Sequence, residues 1–157
     1  METIKHITLN AILACAALIL SCCTSDEDKK GWTAPSGIGS ADIITDWTLT
    51  YDNILGRLSG RPITEENGDI YLYGDSEKSM IGYGFSEGHL SCTTLLIPAD
   101  EIKESWLNSL KSGYEQIGDL SETTSVWRDN NRNILMKIVL DEWNNAMHYQ
   151  IYWADAR

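Results

Sequence analysis

The stretch NILMKIVLDEWNNAMHYQIYW, residues 133–153, decides the fold because apolar and polar residues alternate along it on both sides of a short turn. Every second position of each arm is apolar: Ile134, Met136, Ile138 and Leu140, then Met147, Tyr149, Ile151 and Trp153. This period of two is typical of a β-strand with one buried face, and Asn144-Asn145 is typical of a tight turn. The stretch therefore predicts a hairpin of two antiparallel strands, 133–142 and 146–154, with one apolar face.

Outward from this hairpin, the same reasoning predicts four more strands and two helices. The strands are 69–73, 80–85, 89–97 and 123–128. A first helix is predicted within 46–60, with Thr48 or Thr50 as its N-cap, and a second over 100–117, closed by Gly118. The second helix carries an apolar stripe, so we expect it to cover the apolar face of the sheet.

These elements predict an α+β fold in which helix-strand-strand-strand occurs twice, as an antiparallel sheet with helices on one face. The two halves share element order but few identical residues, so a repeat and a plain α+β sheet both remain open. The other sheet face carries Leu135, Lys137, Val139, His148, Gln150 and Tyr152. This mixture is too apolar for a solvated surface, so the first helix, a partner or a second copy could cover it.

Residues 1–21 have the layout of a secretory signal peptide, with basic Lys5 before the apolar run 11–20. The run is shorter than the about 20 residues that a membrane-spanning helix needs. Its end, Ile19-Leu20-Ser21-Cys22, resembles the lipobox of bacterial lipoproteins. The resemblance implies cleavage before Cys22 and lipid on that cysteine, which would anchor the chain stably through several acyl groups. Cys23 is the poorer acceptor.

The residues after Cys22 predict a spacer between the lipid and the fold. Thr24-Ser25-Asp26-Glu27-Asp28 resembles the acidic tract of surface-exported lipoproteins in the Bacteroides group, although a solvated acidic spacer would look the same. Residues 22–44 are rich in glycine and serine and predict a flexible tether, which leaves 45–157 as one globular domain. We expect an outer-membrane protein, either periplasmic or exposed at the surface.

The charge and the cysteines narrow the classes of function. The formal charge is −11, with 12 basic and 23 acidic residues, and the basic residues are scattered. Nucleic acids need clustered cations, so we expect no nucleic-acid partner, whereas a basic protein partner would suit this charge. Cys92 is the one cysteine within the domain, so folding should depend on core burial rather than on disulfides.

Catalytic and metal-binding motifs are not found in the sequence. His89 and His148 have no neighbouring ligands at the spacings that zinc sites use, and no phosphate loop or nucleophile elbow occurs. We therefore expect no metal, no cofactor and no enzymatic activity. A hydrolase built from scattered groups is the less favoured alternative.

Six tryptophans are many for 157 residues, and they suggest where the domain binds. Trp106 and Trp153 fall on apolar stripes and are expected in the core, whereas Trp32 and Trp143 lie in polar surroundings. Trp32, Trp143, His148 and Tyr152 are the candidate contacts.

The layout resembles beta-lactamase-inhibitor-like domains and small lipoproteins of outer-membrane barrel assembly. We expect a protein-binding domain, of inhibitor or immunity type, with a cell-surface glycan-binding accessory as the alternative.

Overall fold

The computed structural model describes residues 33–75 and 78–157, and these form one eight-stranded sheet and two short helices. Cys22 and Trp32 lie outside the described residues. The elements, in chain order, are α1 (Tyr51–Arg57), β1 (Ile63–Glu66), β2 (Asp69–Tyr73), β3 (Met80–Ser86), β4 (His89–Pro98), α2 (Glu104–Lys111), β5 (Glu115–Ser121), β6 (Thr124–Asp129), β7 (Ile134–Trp143) and β8 (Ala146–Asp155). No helix in the described ranges is long and apolar enough to cross a bilayer.

The fold is mostly β, so the prediction of an α+β fold with three strands in each half was wrong. The strands follow the order β1-β2-β3-β4-β8-β7-β6-β5, and all neighbours are antiparallel. Each half is one helix followed by a meander of four strands. The two meanders join where β4 pairs with β8, with Leu95 opposite Ile151.

The six predicted strands are confirmed, and two further strands, β1 and β5, were missed. β5 spans Glu115–Ser121, and its first three residues fall where the sequence predicted the last turn of a helix that in fact ends at Lys111. Gly113 lies at φ 87°, a conformation that stops a helix, and the chain then turns into the ladder with β6. Tyr114 and Ile117 fitted the helical stripe by spacing alone.

One face of the sheet carries the core. Two rows of directly opposed residues run across it: Ser125, Ile138, Ile151, Leu95, Ile81, Leu72 and Ile63, and beside them Gln116, Trp127, Met136, Trp153, Thr93, Tyr83 and Ile70. Nine of these side chains are fully or almost fully buried aliphatic or aromatic groups, namely Ile70, Leu72, Ile81, Tyr83, Leu95, Met136, Ile138, Ile151 and Trp153. Their burial is the main stabilising contribution in a domain without a disulfide among its described residues.

Both helices cover this same face. Ile54 of α1 and Leu107 of α2 belong to the same buried cluster as the central strands. Thr50 caps α1, accepting a hydrogen bond from the backbone N–H of Asn53. The first helix therefore does not cover the opposite face, which was one of the covers considered from the sequence.

Residues 33–44, which their composition assigned to the tether, pack on the sheet as well. Ile38 and Ile44 are buried in the core cluster. The Tyr83 hydroxyl donates to the backbone oxygen of Asp42 at 2.7 Å, and Thr93 donates to that of Ile44 at 2.5 Å. Glycine and serine here form tight turns rather than a spacer, because the aliphatic residues between them have a sheet to cover.

Candidate functional site

The tip of the β7–β8 hairpin presents an exposed tryptophan on a rigid support. Trp143 is 38% exposed, and its ring meets the ring of His148 edge-to-face, with centroids 5.1 Å apart at 86°. Asn144 and Asn145 both have positive φ, the geometry that a two-residue hairpin turn requires. The edge-to-face contact with His148 holds the Trp143 ring in one orientation, so the ring loses little conformational entropy when a partner covers it.

His148 supports Trp143 and does not itself reach the surface. It is 1% exposed, and its Nδ1 donates to the backbone oxygen of Ala146 at 2.9 Å. Its Nε2 is buried without a hydrogen-bond partner among the described residues. Of the four contacts expected from the sequence, the structure thus exposes Trp143 and buries His148, and it places half-buried Tyr152 on the same sheet face, opposite the helices but away from the hairpin tip. Trp32 lies outside the described residues.

The edge strand β5 carries two exposed apolar residues that the sequence did not single out as contacts. Ile117 is 52% exposed and Leu120 is 70% exposed. The pairing of β5 with β6 slips at both positions, so each is the extra residue of a β-bulge. A bulge re-aims a side chain away from the regular alternation. The two bulges therefore turn Ile117 and Leu120 out of the sheet and into solvent.

We give the name apolar corner to four residues of β5 and the hairpin tip: Ile117, Leu120, Trp143 and Met147. They are the four exposed large hydrophobic residues of the described chain. β5 lies two strands from β7, and strand spacing and rise place all four within about 25 Å of one another. Trp143 and Met147 project from opposite sides of the hairpin, since Trp143 pairs with Ala146 and Met147 pairs with Glu142. Exposed Trp and Met side chains are enriched in protein interfaces.

Carboxylates surround the apolar corner. Asp119, Glu122, Asp141 and Glu142 are all exposed, and none of them takes part in the three ion pairs seen in the described ranges. Lys111, the basic residue on the nearby end of α2, has its ammonium 5.5 Å from the centroid of the Trp127 ring. The exposed apolar residues of the corner therefore have acidic neighbours.

A small cavity opens beside the corner, between α2 and strands β5 to β7. Its volume is about 180 Å³, and its lining includes apolar Leu107, Leu140 and Tyr149, the carboxylates Asp119 and Glu122, and the cation Lys111. Small-molecule sites usually measure about 300–1,000 Å³, so this cavity is better matched to one inserted side chain. Its lining is mixed, and two carboxylates against one ammonium leave it with a net negative charge.

No group of three or more His, Cys, Asp or Glu residues in the part of the chain that is described lies close enough to hold a metal ion. Comparison of the chain with family models, with curated proteins and with solved structures gives no match. The functional argument therefore depends on the geometry of the chain itself.

Ile117 and Leu120 were missed because the sequence assigned Ile117 to a helix and Leu120 to a connection. The dipeptide Ser112-Gly113 was the available indication that the helix ends early. The bulges themselves depend on how β5 pairs with β6, which a single strand's sequence does not reveal. Trp143 was recognised because it directly precedes a turn, where aromatic side chains have no buried face to join.

Proposed function

We propose that this chain is a lipoprotein anchored to the outer membrane through Cys22, and that its domain is a non-enzymatic module that binds a basic protein. The observation that carries the proposal is the apolar corner. Isolated exposed hydrophobic residues are common, but here all four of the described chain occur on the edge strand β5 and at the hairpin tip, near carboxylates and a side-chain-sized cavity. An inhibitor or immunity protein is the type of binding module that this surface suits.

The chemistry of the corner specifies its partner. Trp143 and Met147 would bury apolar side chains, and the surrounding carboxylates would attract Lys or Arg at the partner's rim. The overall charge of −11 would add to this attraction at longer range and speed the encounter. A partner with an apolar centre and a basic rim is therefore expected, bound more weakly as salt increases.

Replacing Cys22 with serine tests the anchor. We expect the Cys22→Ser chain to leave the membrane fraction, because serine cannot carry the thioether-linked lipid that the lipobox implies. Cys23→Ser is the matched control and should stay in the membrane. Release of both variants, or of neither, would contradict anchoring through Cys22.

Photocrosslinking from the corner tests the partner. A benzophenone amino acid at position 143 or 120, in cells that express the full chain, should give an adduct with one protein, whereas the same group at exposed Ser59 should not. We then expect the purified partner to be basic, and its affinity to fall on the order of tenfold between about 0.05 and 0.5 M salt. An acidic partner, or binding indifferent to salt, would refute the charge argument.

A fluorescence titration with polysaccharides, read together with the crosslinking result, separates a protein partner from a glycan. Exposed Trp143 is also the kind of side chain on which a sugar ring stacks, as the alternative from the sequence requires. If polysaccharides change the fluorescence of the wild-type protein but not of Trp143→Phe, and no protein adduct forms, the domain binds glycans instead.

A further inference from the structure

The sheet face opposite the helices, which we call the open face, has a regular composition. Neither helix and no strand of the described ranges lies over it. Two rows of directly opposed residues cross its middle: Thr124, Val139, Gln150, Leu96, Met80 and Tyr73, and beside them Gly118, Val126, Lys137, Tyr152, Thr94, Gly82, Tyr71 and Thr64. Most of their large side chains are half-buried rather than exposed.

These two rows are poor in charge. Lys137 is their single charged residue, although 22% of the whole chain is charged. The Lys137 ammonium lies 5.8 Å from the centroid of the Tyr152 ring, whose negative face partly offsets it, and the Tyr152 hydroxyl donates to Gln150 at 2.7 Å. Carboxylates are confined to the margins of this face, as at Glu66 and Asp141. A surface of this composition resembles the core of an interface more than a solvated one.

Glycines make the face smooth. A Cβ at Gly82 would lie 3.2 Å from the Tyr71 ring, and one at Gly84 would lie 2.6 Å from the Cys92 sulfur. The side chains of the flanking strands therefore fill the space that β3 leaves empty. The result is an even surface, which is what face-to-face packing of sheets requires.

The size of the open face matches a dimer interface. Six neighbouring strands, about 4.8 Å apart and about seven residues long, cover about 700 Å². A stable complex buries about 800 Å² on each partner. Two such faces can pack about 10 Å apart, with the strands about 30° from parallel, as in a β-sandwich.

We propose that a second copy of this chain covers the open face. Two copies that meet here keep their carboxylates at the margins, so the repulsion between two chains of charge −11 is not concentrated in the contact. A basic partner has no reason to choose this face, because the middle rows offer it Lys137 and no carboxylate. None of the corner residues lies in the middle rows, although Trp143 projects from the same side of β7 as Asp141, so the dimer would leave Ile117, Leu120 and Met147 accessible.

Crosslinking between two tagged copies of the full lipidated chain tests the dimer. With a benzophenone amino acid in place of Tyr152, cells that express both copies should form an adduct that contains both tags. Exposed Ser59, in the turn after α1, is the control position and should form none. Absence of a two-tag adduct at position 152, or an adduct with a different protein there, would overturn the proposal.

Matched charge substitutions separate this proposal from the function proposed above. Leu96→Glu places two carboxylates in the dimer contact and should lower the two-tag adduct on the order of tenfold or more. Leu120→Glu is the same substitution at the apolar corner and should leave the dimer intact while weakening the basic partner. Gln150→Glu is a second, nearly isosteric probe in case Leu96→Glu fails to fold. A dimer that persists in both Leu96→Glu and Gln150→Glu would refute the interface.

Discussion

Asp42 is a buried carboxylate whose partners come from different segments of the chain. It accepts a hydrogen bond from the backbone N–H of Gly39 at 2.9 Å and pairs with Arg61 at 2.9 Å. Arg61 follows α1, so this pair fastens residues 33–44 to the rest of the domain. Because Asp42 is almost completely buried, the loss of its cation leaves a charge that water cannot solvate fully.

We expect Arg61→Ala to lower the free energy of unfolding by about 1–2 kcal/mol. This is the range for a hydrogen bond between charged groups when one of them, here Arg61, is partly exposed. Arg157→Ala is the control, because its ion pair with Asp155 lies at the surface and should contribute nothing measurable. Urea unfolding of both variants measures the difference. Equal effects would show that the burial of Asp42 is unimportant.

Tyrosine ionisation should make the domain sensitive to alkaline pH. The hydrogen bond to Glu65 raises the pKa of Tyr51 to about 12, and burial raises the pKa of Tyr83 above its ordinary value. Both pKa values are higher in the folded chain than in the unfolded one. The stabilising contribution is therefore complete below about pH 10 and is lost as the pH rises through the folded-state pKa values.

We expect the free energy of unfolding to fall between about pH 10 and pH 12, in step with tyrosinate absorbance. Tyr83→Phe should be less stable at pH 9, since the Asp42 carbonyl loses its donor, but should lose less stability on going to pH 12. Denaturant titrations at both pH values test this. An identical alkaline loss in the variant would rule out Tyr83 as a contributor.

At the scale of elements, the turn between β2 and β3 depends on a close approach at Gly74. A Cβ there would lie 2.4 Å from the Ser79 hydroxyl and 2.9 Å from the backbone oxygen of Ser36. We expect Gly74→Ala to cost about 1–3 kcal/mol through overpacking. Gly56→Ala in α1 meets nothing within 4 Å and should instead stabilise by about 0.5–1 kcal/mol. Thermal unfolding of both variants tests this, and a shift of the same sign would contradict it.

Strands with strict alternation were predictable, because every second residue of β7 and β8 faces a core. β5 was not, since Glu115–Ser121 is exposed along most of its length and forms a strand only through its pairing with β6. The same reason explains the site. Trp143 follows from its place beside a turn, whereas Ile117 and Leu120 project outward because of bulges that exist only in the assembled sheet.

The balance of charge is a property of the whole molecule. With 23 acidic and 12 basic residues, and three ion pairs in the described ranges, most carboxylates repel one another in the compact state. We expect the melting temperature at pH 7 to rise when salt is increased from about 0.01 to 0.3 M, because screening weakens this repulsion. NaCl and KCl should act alike. A falling melting temperature would mean that attractive pairs dominate.

The pairing of β4 with β8 also has a consequence for how the chain folds during its synthesis. β8 is the eighth strand along the chain, yet it occupies the middle of the sheet and closes the gap between the two meanders. A nascent chain in which residues 146–155 have not yet been synthesised lacks β8, the strand that joins the two meanders. The complete eight-stranded sheet can therefore form only after residues 146–155 have been synthesised.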